Sequence, residues 1–251
     1  MKALVLAAGE GTRLRPLTLD RPKPMLPLAG RPLLEHLVAL LAAHGIGEIA
    51  INLHYRPEAI VDHFGDGSRF GVRITYSHED VLLGSAGAAR RLDWFLDEPF
   101  LVLYGDVLTD VDLSSLVDAH RRFGGVGTIA LSEADDPTRC GIVHLDRAGR
   151  ITSFVEKPTT DEFGNLANSG IYVLHPAAID HVPPGRPFDF GADLFPALLS
   201  AGVPLYGVPP QGYVLDIGSV DRYHRAESDL LAGRVRSYAA GAHFATEVGR
   251  C

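Results

Sequence analysis

The segment KALVLAAGEGTRL (residues 2–14) decides the fold class of this chain. Its first part, Lys2–Ala7, is an apolar run with the length of a buried strand, and the small residues Ala8, Gly9 and Gly11 follow it. Small residues after a strand let backbone N–H groups approach an anion closely. The segment therefore predicts a strand followed by an anion-binding loop, which is a typical opening of an α/β fold.

Strand and helix patterns alternate through the first half of the chain. In chain order we expect a helix from Pro32 to near Gly45, a strand at Ile49–Leu53, a helix at Pro57–Phe64, a strand at Val72–Tyr76, a helix at Ala86–Leu96, a strand at Phe100–Tyr104 and a helix at Leu113–Phe123. This βαβ rhythm predicts a Rossmann-like, mostly parallel sheet with helices on both faces.

Short strand patterns dominate after residue 125. They are expected at Val126–Leu131, Gly141–Leu145, Ile151–Val155, Asn168–Leu174 and Val203–Val208, with helices at Ala192–Leu199 and Val220–Leu231. We predict one domain over residues 1–233, in which the strand-rich second half forms a lobe over the sheet edge. Residues 234–251 show little periodicity and are expected to form a loose tail.

The composition of the chain argues against several classes of binding partner. The 251 residues carry a formal net charge of −8, which argues against nucleic acid as a partner. No apolar run reaches the roughly 18 residues of a membrane span, so no membrane partner is expected either. Two cysteines, Cys140 and Cys251, are too few for a disulfide framework or a zinc site. Together with the lack of a signal-peptide pattern, this predicts a reducing, cytoplasmic location.

Positive charge is concentrated near the amino terminus. Residues 1–31 hold six basic and two acidic side chains, although the whole chain is acidic. A basic, Gly- and Pro-rich segment on an acidic protein indicates either a pocket for a small polyanion or a solvated loop. Arginine outnumbers lysine 20 to 3, so Lys23 and Lys157 are candidates for positions that require a compact ammonium group.

The loop after the first strand differs from the two most familiar phosphate motifs. Gly9-x-Gly11-x-x-Leu14 has leucine where a dinucleotide fingerprint requires a third small residue, and no Gly-Lys-Ser/Thr follows as in a P-loop. Arg13 and Lys23 nevertheless lie where they could bring positive charge to a triphosphate.

The complete set of motifs resembles the sugar-nucleotide pyrophosphorylases, also called sugar-1-phosphate nucleotidylyltransferases. Besides the first loop and Lys23-Pro24, the matching motifs are Leu83–Gly87, Tyr104–Val107, Val155–Pro158, Asn168–Tyr172 and Asp216–Gly218. The pattern is most similar to the mannose-1-phosphate guanylyltransferases, without the left-handed β-helix that usually follows in them. It implies the nucleotide-diphospho-sugar transferase fold, with a nucleotide-binding half at 1–125 and a sugar-phosphate-binding half at 126–233.

The resemblance also implies a reaction and a set of site residues. An NTP, with GTP favoured, would condense with mannose-1-phosphate or a related sugar phosphate to give an NDP-sugar and pyrophosphate. Arg13, Lys23 and Lys157 would be catalytic. The implied nucleotide contacts are Leu6, Ala8, Gly9, Gly11, Thr12, Arg13, Lys23, Gly84, Ser85, Gly87 and Asp106. The implied sugar-phosphate contacts are Gly141, Glu156, Lys157 and Asn168.

Carboxylates supply the candidates for a metal site. Asp106 follows a buried strand, where α/β folds place ligand groups, and Asp216 is a second candidate. Mg²⁺ commonly uses one or two protein carboxylates together with phosphates, so Mg²⁺ is the expected cofactor on this pair. The Asp110-x-Asp112 spacing is also used by metal-dependent glycosyltransferases, but we expect Asp112 to cap the helix that begins at Leu113.

Three alternatives remain at the level of sequence. The first is the same chemistry with UTP or dTTP, because the Gly65–Gly71 loop is similar to that of uridylyltransferases. The second is a non-catalytic regulatory relative, and the third is a retaining glycosyltransferase. Cys140, Ser85 and Val214-Leu215 differ from the usual guanylyltransferase residues, so a heptose or cyclitol phosphate fits as well as mannose-1-phosphate. A homodimer is left open as the assembly.

Overall fold

Strands and helices alternate as far as residue 123, and strands dominate after it. A computed structural model describes residues 1–209 and 211–238. The strands are β1 (Lys2–Leu6), β2 (Pro27–Leu28), β3 (Arg31–Pro32), β4 (Glu48–Leu53), β5 (Arg73–His78), β6 (Phe100–Tyr104), β7 (Val107–Thr109), β8 (Gly127–Glu133), β9 (Gly141–Leu145), β10 (Ile151–Glu156), β11 (Leu166–Leu174), β12 (Leu205–Val208) and β13 (Val214–Asp216). The α-helices are α1 (Leu33–Ala43), α2 (Pro57–Phe64), α3 (Gly84–Arg91), α4 (Leu113–Phe123), α5 (Phe195–Ser200) and α6 (Val220–Leu231).

The strands of the first half form the parallel part of one large sheet. β1 lies between β4 and β6, and β5 continues the sheet beyond β4, with all three pairings parallel. Parallel neighbours require a crossover, and α1, α2 and α3 provide these connections. The predicted parallel sheet with flanking helices is therefore confirmed for this half.

β11 connects the antiparallel second half to this sheet. Ile171–Leu174 pair with β6 on one side, while β8 follows β11 on the other side. The β8–β11 register is interrupted between Asn168 and Tyr172, and Gly170 within the interruption has a φ of 74°. β9, β10 and β12 extend the sheet further, so the strands expected in a separate lobe belong to the same sheet.

The two faces of the sheet bury separate apolar clusters. Ala3 and Val5 of β1 pack with α1 on one face, and Leu4 between them packs on the opposite face in the cluster that includes Ala86 and Ala89 of α3. This alternation follows from the two-residue period of a strand. Full burial of a leucine contributes about 1.5–3 kcal/mol, so both clusters hold the strand ends rigidly.

Some elements differ from their predicted extents. The helix expected at Ala86–Leu96 ends at Arg91. The prediction extended to Leu96 because Leu92, Phe95 and Leu96 are buried at a spacing that resembles helical periodicity, although they lie in turns. The helix expected from Ala192 begins as a π-helical turn at Phe190–Leu194 before α5. The short ribbon of β7 with β13 had no counterpart among the predicted elements.

The beginning of the expected tail is packed. Val235 is buried against the cluster that contains Leu14 and Leu230. Arg31 donates to the carbonyl oxygen of Tyr238 at 3.0 Å. Residues 239–251 of the expected tail lie outside the described residues. Within the described ranges, no helix has the length and apolar character needed to cross a bilayer.

Asp112 caps α4, as predicted. Its Oδ1 accepts from the backbone N–H of Ser115 at 3.0 Å, and its Oδ2 accepts from the Ser115 hydroxyl at 2.7 Å. Asp110 is also engaged, since its Oδ1 accepts from the backbone N–H of Tyr213 and its Oδ2 from that of Arg236. Both carboxylates of the Asp-x-Asp pattern therefore hold the backbone together.

Replacing Asp112 with alanine should lower the free energy of unfolding by about 1 kcal/mol, because the first turn of α4 loses its cap. Urea denaturation followed by circular dichroism measures this change. Asp118→Ala is the matched control, since Asp118 lies on the same helix in an exposed ion pair with Arg121 and should change stability little. Equal stability of the two variants would contradict the capping role.

Candidate functional site

Two adjoining clefts open at the carboxyl ends of the parallel strands. The first, which we call the nucleotide cleft, has a volume of about 390 Å³ and is lined by the loop after β1, the end of β4 and the start of α3. The second, the sugar cleft, has a volume of about 440 Å³ and is lined mainly by β9, β10, β11 and β13. Tyr104 and Asp106 line both clefts, so the two spaces meet at the end of β6.

The loop after β1 is held open by backbone geometry. Gly11 has a φ of 64°, and a Cβ there would lie 3.0 Å from Cβ of Lys23, so glycine allows the close approach. The Thr18 hydroxyl donates to the Gly11 carbonyl oxygen at 2.9 Å. The expected nucleotide contacts that line the cleft here are Leu6, Ala8, Gly9, Gly11, Thr12 and Arg13.

Arg13 lines the nucleotide cleft from the loop after β1. Its side chain is exposed at the cleft, and no ion pair to it is found within residues 1–209 and 211–238. An unpaired guanidinium beside a small-residue loop is suited to binding phosphate oxygens, which match its planar donors.

Lys23 and two aspartates form the charged centre between the clefts. The Lys23 ammonium contacts Oδ2 of Asp106 at 2.6 Å and Oδ1 of Asp216 at 3.2 Å. The Lys23 side chain is only 8% exposed. Pairing of β13 with β7 brings Asp216 to Asp106, and the backbone N–H of Ile217 donates to the Asp106 carbonyl oxygen. Arg222 lies 3.6 Å from the second oxygen of Asp216.

This donor set is compatible with magnesium. Asp106 and Asp216 direct carboxylate oxygens to one cationic point, and hard oxygen ligands are those that Mg²⁺ prefers. Among the described residues, no group of three or more acidic, histidine or cysteine side chains is arranged to hold a metal. Two carboxylates are nevertheless sufficient where substrate phosphates and water complete the coordination.

The start of α3 closes the nucleotide cleft. Gly84 has a φ of 71°, and a Cβ there would lie 2.7 Å from the Phe188 carbonyl oxygen. Gly84 and Ser85 line the cleft as expected from the sequence, whereas Gly87 faces the protein, where a Cβ would lie 3.2 Å from the Arg186 carbonyl oxygen. The backbone N–H groups of Ala86 and Gly87 donate to Phe188. Glycine at position 87 therefore permits close backbone packing, and its predicted nucleotide contact stays a prediction.

Asn52 and Glu79 also line the nucleotide cleft and were not identified from the sequence. Asn52 accepts from the backbone N–H of Ala7 at 2.8 Å and donates to Oε1 of Glu79 at 2.8 Å. The second oxygen of Glu79 accepts from the backbone N–H of Leu83 at 2.9 Å. Glu79 is only 4% exposed. The available signal was a lone asparagine near the end of the apolar strand β4.

Glycines surround Glu156 in the sugar cleft. A Cβ on Gly141 would lie 2.7 Å from Oε2 of Glu156, and a Cβ on Gly191 would lie 2.6 Å from the same oxygen. The carboxylate is thus seated in a space that only glycines at both positions leave open. Gly141 and Glu156, both expected from the sequence, are brought together here, and Gly191 is an addition.

Lys157 has an unusual backbone conformation. Its φ of 46° is left-handed, which is uncommon for a residue with a side chain, and its backbone N–H donates to the Cys140 carbonyl oxygen at 3.0 Å. The ammonium lies 3.3 Å from Oε1 of Glu156 and is largely exposed. A strained backbone at a cleft is frequent where a side chain must be aimed at a ligand.

Asn168 pairs with Leu131 at the point where the β8–β11 register is interrupted. Its Oδ1 accepts from the backbone N–H of Gly170 at 2.9 Å, and its Nδ2 donates to the Tyr172 hydroxyl at 2.9 Å. The amide lines the sugar cleft and retains one N–H and one lone pair for a ligand.

Other polar residues of the sugar cleft were not predicted. Arg139, Asp189, Arg222 and Arg225 line it, and no motif had marked them. Burial raises the pKa of the Cys140 thiol, which keeps it protonated at neutral pH.

Comparisons with known proteins all lead to one family. The family model described as "Nucleotidyl transferase" matches residues 2–233. A UTP–glucose-1-phosphate uridylyltransferase of Synechocystis is 39% identical over 252 residues, which cover 94% of this chain and 65% of the relative. A mannose-1-phosphate guanylyltransferase of Mycobacterium tuberculosis is also 39% identical, over 96% of this chain and 67% of the relative.

The structural comparison agrees. HddC from Yersinia pseudotuberculosis, solved in complex with GMP-PN, has a TM-score of 0.77 and 27% identity, covering 91% of this chain and 99% of that structure. The chain spans about two thirds of the length of the curated relatives it matches. The match over residues 2–233 includes both clefts and the charged centre between them, and the chain belongs to the nucleotidyl transferase family.

Proposed function

We propose that this chain transfers a nucleotidyl group from an NTP, preferably GTP, to a sugar-1-phosphate and releases pyrophosphate. The observation that carries the proposal is the charged centre of Lys23, Asp106 and Asp216 at the junction of two clefts. Transfer between two bound phosphate compounds requires such a shared boundary, because the reacting atoms must meet there.

The chemistry needs no general base. An oxygen of the sugar phosphate, already anionic, attacks the α-phosphorus and forms a new P–O bond, while the bond to the β-phosphate oxygen breaks and pyrophosphate leaves. Catalysis of such a step consists of positioning and charge stabilisation. Lys157 holds the attacking phosphate against the repulsion of the triphosphate. Arg13 and the backbone of the first loop stabilise the departing pyrophosphate.

Asp106 and Asp216 would hold Mg²⁺. When bound, the ion would supply positive charge next to the reacting phosphates. Lys23 is buried between the same two carboxylates, so it keeps them in place and adds its own positive charge beside the triphosphate.

Glu79 supports the preference for guanine. An ionised carboxylate only accepts hydrogen bonds, and the Watson–Crick edge of guanine presents two adjacent donors, N1–H and N2–H₂. Uracil and thymine present one N–H between two carbonyl oxygens, which a buried carboxylate repels. The relatives include both guanylyl and uridylyl transferases, so the base is part of the proposal.

The sugar cleft supports a polyhydroxylated substrate without selecting one. Glu156 and Asn168 offer acceptors and one donor to sugar hydroxyls beside Lys157. Mannose-1-phosphate and a related heptose or cyclitol phosphate meet these requirements equally. The cytoplasmic location and the homodimer stay predictions.

The decisive experiment crosses GTP, UTP, dTTP, CTP and ATP with a panel of sugar-1-phosphates and measures pyrophosphate release. GTP with mannose-1-phosphate or a related heptose or cyclitol phosphate should be the most active class, and Glu79→Gln should lower kcat/KM for GTP relative to UTP by roughly tenfold or more. Glu58→Gln, on the exposed surface of α2, should leave the ratio unchanged. No release with any pair would refute the transferase proposal, and an unchanged ratio in Glu79→Gln would remove the base-reading role.

Turnover should require a divalent ion. Excess EDTA should abolish pyrophosphate release while far-UV circular dichroism remains native, because the described chain offers no cage for a structural metal. Added Mg²⁺ should restore activity. Full turnover in excess EDTA would contradict the assignment of Asp106 and Asp216.

Lys157→Arg should fail almost as severely as Lys157→Ala, with turnover reduced roughly 100-fold. The backbone of Lys157 is fixed by its hydrogen bond to Cys140 and by Pro158. The wider guanidinium of an arginine therefore cannot shift back to make room for the phosphate. NTP affinity, measured by calorimetry, should change by less than about 0.6 kcal/mol. Lys2→Arg, at a surface ion pair with Asp97, is the matched control and should be fully active. Retained activity in Lys157→Arg, or a defect mainly in NTP affinity, would show that Lys157 does not hold the sugar phosphate.

A further inference from the structure

The segment 188–191 contacts the walls of both clefts, and its first two residues are fixed to the start of α3. The Phe188 carbonyl oxygen accepts from the backbone N–H of Gly87 at 2.9 Å. Oδ1 of Asp189 accepts from the backbone N–H of Ser85 at 2.9 Å and from its hydroxyl at 3.0 Å. Hydrogen bonds to two consecutive residues therefore hold the segment against the wall of the nucleotide cleft.

Gly191, at the other end of the segment, lies on the wall of the sugar cleft. A Cβ on Gly191 would lie 2.6 Å from Oε2 of Glu156 and 3.2 Å from its carboxyl carbon, whereas the next nearest atom, on the Phe154 ring, would be 3.5 Å away. The φ of Gly191 lies outside the left-handed region, so residues with a side chain can adopt this backbone conformation. Glycine at this position therefore makes space for the Glu156 carboxylate.

Gly141 lies beside the same carboxylate oxygen, but its Cβ would also meet a rigid neighbour. It would lie 2.6 Å and 2.8 Å from two ring carbons of Phe154, as well as 2.7 Å from Oε2 of Glu156. Phe154 is buried and packs against Phe195, so its ring cannot move aside easily. The end of a glutamate side chain can move. Position 191 is thus the place where an added methyl group would act on Glu156 alone.

The seat between Gly141 and Gly191 leaves the Glu156 carboxylate available to a ligand. Oε1 lies 3.3 Å from the Lys157 ammonium, and the side chain is 27% exposed at the sugar cleft. Within residues 1–209 and 211–238, no hydrogen-bond donor to Oε2 is found. A bound sugar hydroxyl can supply that donor, because an ionised carboxylate only accepts. Since the segment 188–191 is fixed to α3, a Cβ at position 191 would displace the carboxylate rather than the backbone.

We propose that Gly191 is a specificity-determining residue, which seats the Glu156 carboxylate so that Oε2 accepts from one hydroxyl of the sugar-1-phosphate and selects the configuration at that carbon. This inference rests on the proposed function, because it takes the ligand of the sugar cleft to be a sugar-1-phosphate. Gly191 lies on the wall of that cleft and away from the charged centre, so it affects recognition of the sugar rather than the transfer step.

The first test adds a methyl group at position 191. Gly191→Ala should raise KM for the best sugar-1-phosphate about tenfold and reduce discrimination against at least one of its epimers, because the displaced carboxylate no longer meets the hydroxyl. KM for the NTP should change less than about twofold, since the hydrogen bonds between Asp189 and Ser85 remain. Gly47→Ala is the matched control, because Gly47 also has an ordinary φ and a Cβ there would have no neighbour within 4 Å.

Two results of this test would overturn the proposal. The first is an unchanged KM for the sugar phosphate together with unchanged epimer ratios in Gly191→Ala. The second is an equal rise in KM for the NTP, which would show that the segment 188–191 had moved instead of the carboxylate.

A compensating change identifies the carboxylate as the cause. Glu156→Asp shortens the side chain by one methylene and withdraws its carboxylate from Gly191. In this background, Gly191→Ala should have no further effect on KM for the sugar phosphate, and an equal effect in both backgrounds would contradict the proposal. If Gly191→Ala alone does not fold, the double variant should fold again. Failure of both to fold would show that the backbone requires glycine, and would refute the role of the carboxylate.

A measurement without turnover separates this inference from the proposed reaction. Selective ¹³C labelling of glutamate carboxyl groups gives a Glu156 resonance, which is assigned by its loss in Glu156→Gln. This resonance should shift in Gly191→Ala but not in Gly47→Ala, and an unchanged resonance in Gly191→Ala would refute the seat. If the resonance shifts as expected but no NTP and sugar-1-phosphate pair reacts, the seat exists and the proposed function fails.

Discussion

One ammonium group between two carboxylates holds the centre of this molecule together. A nearly buried lysine is costly unless opposite charges surround it, and Lys23 obtains them from Asp106 and Asp216. These residues are widely separated in the chain, so the contact forms only when the first loop, the end of β6 and the β7–β13 ribbon are all in place. Two carboxylates against one ammonium leave one negative charge, which Arg222 beside the second oxygen of Asp216 offsets.

The sheet determines where the two clefts lie relative to this centre. Parallel strands β1, β4 and β6 end on one edge, where the backbone of the first loop and the start of α3 line the nucleotide cleft. β11 then joins antiparallel to β6 and carries Asn168 to the neighbouring space. Asn168 pairs with Leu131 immediately before the interruption at Gly170, and its amide lines the sugar cleft. The two clefts are thus neighbours because β6 and β11 are neighbours.

Small residues and buried polar groups both shape the clefts. Gly141 and Gly191 leave the space that Glu156 occupies, and Gly84 allows α3 to begin against Phe188. Buried hydrogen-bonded pairs such as Asn52 with Glu79 and Asn168 with Tyr172 fix the side chains that face ligands. Hydrogen-bonded polar groups of this kind rigidify a site, because breaking any one bond leaves a buried partner unpaired.

The sequence alone determined the class of fold and the residues of strongest chemical character. Apolar runs and helical periodicity located most strands and helices, since these signals depend on burial and local geometry. Arg13, Lys23, Asp106, Lys157 and Asp216 stood out because charged residues beside glycine and proline break the local pattern. Asp112 was predicted as a helix cap from its position alone, and its contact with Ser115 confirms this.

Only the tertiary structure decided which residues meet. The extension of one sheet through β11, the pairing of β7 with β13 and the early end of α3 depend on contacts between distant segments, which local patterns do not encode. Glu79 and Asn52 carry no motif and gain a role only from burial beside a cleft. Ser85 and Asp189 are ordinary polar residues in the sequence, and the Ser85 hydroxyl donates to Asp189 only because folding brings the start of α3 beside the segment that precedes α5.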